Sequence, residues 1–286
     1  MKRIGGAPIT WGVDPSPGWG HVISAERYLS ELTKCGLSAT ELGPDGFLPA
    51  DDLSDFLEEY GARVVAGFVP VVLYHRDIAS EALVYTERAA GQLAATGSNV
   101  IVVGPDSDQA GYDKPVALDE SEWTVFFENL ARFDEIAADH GLTTAVHPHW
   151  GMAVEGQESV DRVARSSDVG FCLDTGHLHL AGVDPVEFVR SFSDRVAHVH
   201  LKDVDGAMGE RVRTRQVPFR QAVIEGVFRP LGAGEVDIGG VVKALEEAGY
   251  DGWYVLEQDT SLQTEPEPGE GPLVDVEHSM RYLEKV

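Results

Sequence analysis

The sequence predicts a closed α/β barrel of eight strand–helix units, a (β/α)8 TIM barrel, and three observations carry that expectation. Short apolar runs alternate with amphipathic stretches along the whole chain, eight times over, as a parallel sheet with helical crossovers requires. No linker divides the 286 residues, so one domain over 1–286 is expected, a common size for such a barrel. No G-x-G-x-x-G follows the first run, which removes the usual dinucleotide argument for a doubly wound open sheet.

The strands are expected near 4–10, 38–42, 63–69, 99–103, 142–147, 169–174, 195–200 and 252–257, each followed by a polar turn. Several helix ends are legible. Ser24 can cap a helix that stops at Gly36, Asp184-Pro185 offers an N-cap with proline at the first helical position, and Gly249 closes a helix before the last strand. Two stretches break the rhythm. Residues 104–120 form a long loop after strand four, and 203–237 are an insertion after strand seven carrying Arg211, Arg213, Arg215 and Arg220. Loops of that length in a compact domain are usually functional, and the second is expected to lie over a polar substrate or to form a solvated basic patch.

A formal charge of -26, from 48 acidic and 22 basic residues, repels phosphate backbones and anionic membranes, so neither nucleic acid nor lipid is an expected partner. The longest apolar run, "VVAGFVPVVLY", is interrupted by Pro70 and is shorter than the roughly 20 residues that span a bilayer. Cys35 and Cys172 fit no disulfide framework, and the opening "MKRIGGAPITWG" lacks an apolar signal core, so a cytoplasmic protein is expected.

Six of the ten histidines fall in three segments, "HPH" (147–149), "DTGHLH" (174–179) and "HVH" (198–200), each ending an expected strand. Alternate residues of a strand share a face, so His147 and His149 point the same way. In a barrel those three ends surround one mouth, and Glu257 at the end of "WYVLE" completes the set. A lone strand-end histidine is more often structural. Two carboxylates and two imidazoles at successive strand ends, however, suit Mn²⁺, Co²⁺, Fe²⁺ or Zn²⁺. Parity places His200 at the rim with His198 one layer below, and Asp174 on the same inward face as Cys172, which is then core.

The stretches "PITWG", "TELGPDGFLP", "DTGHLHLAG", "HVHLKDV", "AVIEGVF" and "GYDGWYVLE" resemble the myo-inosose-2 dehydratases, within the sugar isomerase/epimerase barrels related to xylose isomerase. The likeness covers nearly the whole chain. It implies one divalent metal, Mn²⁺ or Co²⁺ first and Zn²⁺, Fe²⁺ or Mg²⁺ as alternatives, bound by His147, Asp174, His200 and Glu257. His147 stands where most of that superfamily has glutamate. His149, one step further out, would face the substrate, the exchange of those two roles being the alternative. The implied reaction is loss of water from 2-keto-myo-inositol in inositol catabolism, by enolisation and β-elimination. His149, His177, Lys202 and Glu155 are the acid–base candidates; Lys202 shares the parity of His200, and His177 completes a D-x-x-H with Asp174. Trp11 and Glu41 would form the opposite wall, Trp11 having core packing as its alternative, and Arg213 and Arg215 would reach the substrate from the insertion. A metal-dependent isomerase or epimerase of a ketose or keto-inositol is the second reading, a non-catalytic carbohydrate-binding barrel the third. The expected partners are a small polyol or sugar and, as is frequent among such barrels, further copies of the chain.

Overall fold

The computed structural model describes residues 2–14, 16, 18–49 and 52–286. In it the apolar runs become short parallel strands joined by helices: β1 (Arg3–Gly6), α1 (Ala25–Lys34), β2 (Ala39–Glu41), α2 (Leu53–Glu59), β3 (Arg63–Ala66), β4 (Phe68–Val71), α3 (Arg76–Ala95), β5 (Val100–Pro105), α4 (Glu120–Asp139), β6 (Thr143–Val146), α5 (Gln157–Ser166) and β7 (Gly170–Asp174). There follow α6 (Thr175–Leu180), α7 (Pro185–Phe192), β8 (Val196–Leu201), β9 (Asp203–Val204), α8 (Gly206–Arg213), α9 (Phe219–Ile224), β10 (Phe228–Arg229), α10 (Ile238–Glu247), β11 (Trp253–Leu256) and α11 (Pro272–Leu283).

The main sheet runs β3-β2-β1-β11-β8-β7-β6-β5-β4, and its two ends are the consecutive segments β3 and β4. Gly67 separates them, β3 pairing with β2 and β4 with β5, so one split third strand closes an eight-stranded barrel. The first strand is shorter than expected because a 3-10 turn begins at Pro8, whose ring fixes φ and removes a donor. The expected caps form as read: Ser24 accepts from the Arg27 amide, and Asp184 accepts from Val186 and Glu187 ahead of Pro185.

Alternation sorts side chains between barrel interior and helical shell. Along β7, Phe171 and Leu173 join the outer core while Cys172 sits in a small interior cluster with Ala66, Val100, Val102 and Ala145. On β8, His198 pairs in register with Cys172 and His200 with Asp174, stacking the polar residues toward one end. The interior is thus small and apolar below, polar and titratable at the carboxyl ends of the strands.

The stretch 203–237 is more ordered than an open loop. It holds β9, α8, α9 and β10, with β9 and β10 paired antiparallel. Asp203, fully buried, organises it: Oδ1 accepts from the amides of Val204 and Val236, Oδ2 from those of Gly232 and Gly234. No helix among the described residues is long and apolar enough to cross a membrane.

Candidate metal centre and the cavity above it

The carboxyl ends of β6, β7, β8 and β11 bring His147, Asp174, His200 and Glu257 together, one ligand-type atom from each lying within 4.8 Å of the others. Local sequence explains each placement. Asp174 caps α6 with Oδ1, accepting from Gly176 and His177, which leaves Oδ2 facing the cluster. His200 directs Nδ1 inward, 3.1 Å from Glu257 Oε2, while its Nε2 meets Glu41 Oε1 at 2.9 Å. The same Glu41 oxygen accepts from His198 Nε2 at 2.8 Å, so one buried carboxylate orients two imidazoles.

The inward separations are His147 Nε2–Asp174 Oδ2 3.4 Å, His147 Nε2–His200 Nδ1 3.3 Å and His200 Nδ1–Asp174 Oδ2 3.6 Å. These are long for hydrogen bonds. They fit a cation: with bonds of about 2.0–2.2 Å, neighbouring ligands of a tetrahedron or octahedron stand about 2.8–3.6 Å apart. Both imidazoles and carboxylates are nearly inaccessible to solvent, and such a donor set suits a borderline divalent ion.

Charge is distributed unevenly in this buried layer. Burial holds His147 below the ordinary histidine pKa, and burial with the charges of His147 and Lys202 holds His149 well below it. His177 is lowered well below it too, by burial and by His149 and Lys202. Burial opposes charge on His200, but the carboxylates of Glu257 and Glu41 beside it outweigh that and raise its pKa well above the usual value. Burial would likewise raise Glu41, yet His200 and His198 beside it lower its pKa. Asp259 is pushed up by burial to about 6, although Lys202 opposes the shift.

A cavity of about 390 Å³ opens over the cluster, within the range of small-molecule sites. His147, His149, Glu257 and Asp259 form part of its polar lining, and Phe68, Tyr112 and Phe219 part of its apolar lining. His149 Nδ1 lies 2.7 Å from the Trp150 carbonyl oxygen, which can only accept, so Nδ1 carries the proton and Nε2 the lone pair. The glycine of "HPHWG" is required here: Gly151 has φ of 76°, and a Cβ would come within 2.5 Å of the Tyr112 carbonyl oxygen.

Several residues read from the sequence lie elsewhere. Trp11 is fully buried, donates to Glu31 on α1 and packs edge-on against Tyr28, so it is core rather than a substrate wall. Glu41 does line the cavity, but Oε1 is engaged by the two histidines. Glu155 accepts from the Gly151 amide, pinning the turn after His149 instead of reaching the cavity. Arg213 donates to the carbonyls of His179 and Leu180 on the outer side. Arg215 donates to the Asp113 carbonyl and lies over the Trp150 ring, so neither arginine lines the cavity.

His177 and Lys202 are buried behind the wall. His177 stacks on His149 with ring centroids 3.6 Å apart, and Lys202 donates to His177, Glu257 and Asp259. Of the four acid–base candidates, only His149 lines the cavity. Sequence reasoning missed Asp259, although it lies two residues beyond Glu257 and the alternation applied to His200 and Lys202 would have marked it. Phe219 reaches the cavity from the insertion, where its amide donates to Asp113 Oδ1 at 2.6 Å; nothing in its own segment announces that.

A family model described as a xylose isomerase-like TIM barrel matches residues 29–286. The chain is 33% identical over 268 residues to an inosose dehydratase of Geobacillus kaustophilus (strain HTA426), covering 90% of this chain and 87% of that one. It is 32% identical over 260 residues to the rhizopine catabolism protein MocC of Rhizobium meliloti, covering 88% and 80%. Its fold is similar to that of the IolI protein solved with a binding zinc atom, with a TM-score of 0.74 and 16% identity over 100% of this chain and 97% of that one.

Proposed function

Because the chain belongs to the xylose isomerase-like TIM barrel family, we propose that it is a metal-dependent dehydratase that removes water from 2-keto-myo-inositol in inositol catabolism. One observation carries the reading: four buried donors spaced as cation ligands lie beneath a cavity of substrate size. The inosose dehydratases among its relatives supply the substrate. The cavity supports a neutral polyol, since its described lining includes Asp14, Asp45, Asp106 and Asp259 but no lysine or arginine, and so repels a phosphate or carboxylate.

His147, Asp174, His200 and Glu257 would hold the ion, which when bound supplies the polarisation that acidifies the carbon next to a ketone. His149 is the base in this reading. Its imidazole is neutral, its tautomer is fixed by Trp150, and its Nε2 lone pair takes the proton from carbon. Asp259, on the same cavity wall and pushed up by burial to about 6, gives a proton to the departing β-hydroxyl from its protonated fraction. One C–H and one C–O bond break, a carbon–carbon double bond forms, and the resulting enol ketonises to the dione. The proton accepted and the proton donated balance, leaving net loss of water. Phe219 and Tyr112 supply apolar lining that would keep water from the reacting carbons once substrate fills the cavity.

Proton NMR of the metal-loaded protein with 2-keto-myo-inositol and a panel of ketoses tests the proposal. Dione signals from the keto-inositol are expected. Epimerised products in their place would make this an isomerase, and an unchanged spectrum would leave a binding barrel.

A further inference from the structure

We propose that the Lys202 ammonium is a built-in second cation: it fills the position beside the four-donor cluster where another divalent ion would bind, and thereby holds the protein to one metal per chain. The inference rests on the reading of His147, Asp174, His200 and Glu257 as a metal centre.

Lys202 Nζ lies 2.7 Å from Asp259 Oδ1, 2.8 Å from Glu257 Oε1, 3.0 Å from His177 Nε2 and 3.3 Å from Asp174 Oδ2. One ligand-type atom each of His177, Glu257 and Asp259 lies within 4.8 Å of the others, as in the first cluster. Three carboxylates and an imidazole are therefore arranged around a nitrogen as they would be around a metal. Glu257 faces both positions, Oε2 toward His200 and Oε1 toward Lys202. A carboxylate shared in this way is a common feature of two-metal sites, whose ions stand about 3.5–4 Å apart.

The lysine is built into that position. Thr175 Oγ1 accepts from the Lys202 amide and donates to its carbonyl, prolonging the pairing of the two strands past the end of β8. Gly176 lets the aliphatic stem pass, since a Cβ there would lie 2.6 Å from Lys202 Cγ. The Phe228 ring stands 4.9 Å from Nζ, a placement that favours a cation. Lys202 is fully buried and does not line the cavity, so it acts through the carboxylates: it keeps their lone pairs in place and cannot itself accept a proton while charged. It is a positioning residue that sets metal stoichiometry.

The test equilibrates wild type and Lys202→Ala with excess Mn²⁺, counts bound metal per chain by mass spectrometry after gel filtration, and locates the ions by anomalous scattering. Wild type should hold one ion. Lys202→Ala should hold two, the second bounded by His177, Glu257 and Asp259, and its thermal transition should rise with Mn²⁺ more steeply than that of wild type. A folded Lys202→Ala protein with a single ion overturns the proposal. So does a second peak in wild type with the Lys202 side chain displaced, a result readable even where the variant does not fold. Wild type with no ion at all would instead overturn the metal-centre reading, and this inference with it.

Discussion

Glu41 offers the sharpest handle on how the centre is organised, because one of its oxygens serves both His198 and His200. In Glu41→Gln an amide oxygen can occupy the place of Oε1, so both imidazole N–H groups keep an acceptor and only the negative charge is lost. The charge makes His200 a better donor through its far nitrogen, and partners behind metal-bound histidines typically contribute about 10–100-fold in affinity. Glu41→Gln should sit at the low end, with Mn²⁺ Kd raised about 10-fold, or about 1.4 kcal/mol. Glu41→Leu removes the acceptor as well. Two buried N–H groups are then unpaired, at about 1–3 kcal/mol each in stability, and His200 is free to take the other tautomer; a Kd raised about 100-fold is expected. Isothermal titration in competition with a chelator measures both, and thermal melts measure the stability loss. If the two variants bind Mn²⁺ as tightly as the parent, the orienting role of Glu41 is refuted.

His149→Asn should retain metal while elimination falls about 10²–10⁴-fold, the usual worth of a general base; metal content and rate on one preparation decide it. Asp203→Asn puts an amide nitrogen where one oxygen now accepts two backbone N–H groups, losing two bonds to a charged acceptor at about 1.5–3 kcal/mol each. Urea denaturation should show about 3–6 kcal/mol of destabilisation, and an unchanged midpoint would contradict the accounting. Asp113→Ala removes the acceptor that holds the Phe219 amide, so KM should rise about 10–100-fold with kcat and metal binding nearly constant, the loss of one charged hydrogen bond over the cavity. A fall in kcat alone would place that contact in chemistry rather than in closure.

The barrel was legible because its signal is local and repeated: an apolar run, a polar turn and an amphipathic helix, eight times. The strand-end residues were legible for the same reason, since alternation ties His198 to His200 and Cys172 to Asp174. What failed depended on geometry outside the strands. Lys202 has the right parity, but the chain beyond β8 follows Thr175 and buries the side chain behind Glu257 and Asp259. Glu155 lies in a turn, where no period predicts direction, and it closes on Gly151. The arginines of the insertion suggested substrate contacts by composition alone. Two short helices instead point Arg213 at the carbonyls of His179 and Leu180 in the last turn of α6, while Phe219 supplies part of the cavity wall.

In the proposed reaction, dehydration runs on one divalent ion held by His147, Asp174, His200 and Glu257. This dependence is tested most directly by titrating chelator-stripped protein with Mn²⁺ while following elimination of 2-keto-myo-inositol by NMR. The rate should start near zero, rise linearly and break at one equivalent per chain, and Asp174→Asn and Glu257→Gln should stay flat over the same range. Full elimination in the stripped protein, or an unchanged titration in Asp174→Asn, would contradict it.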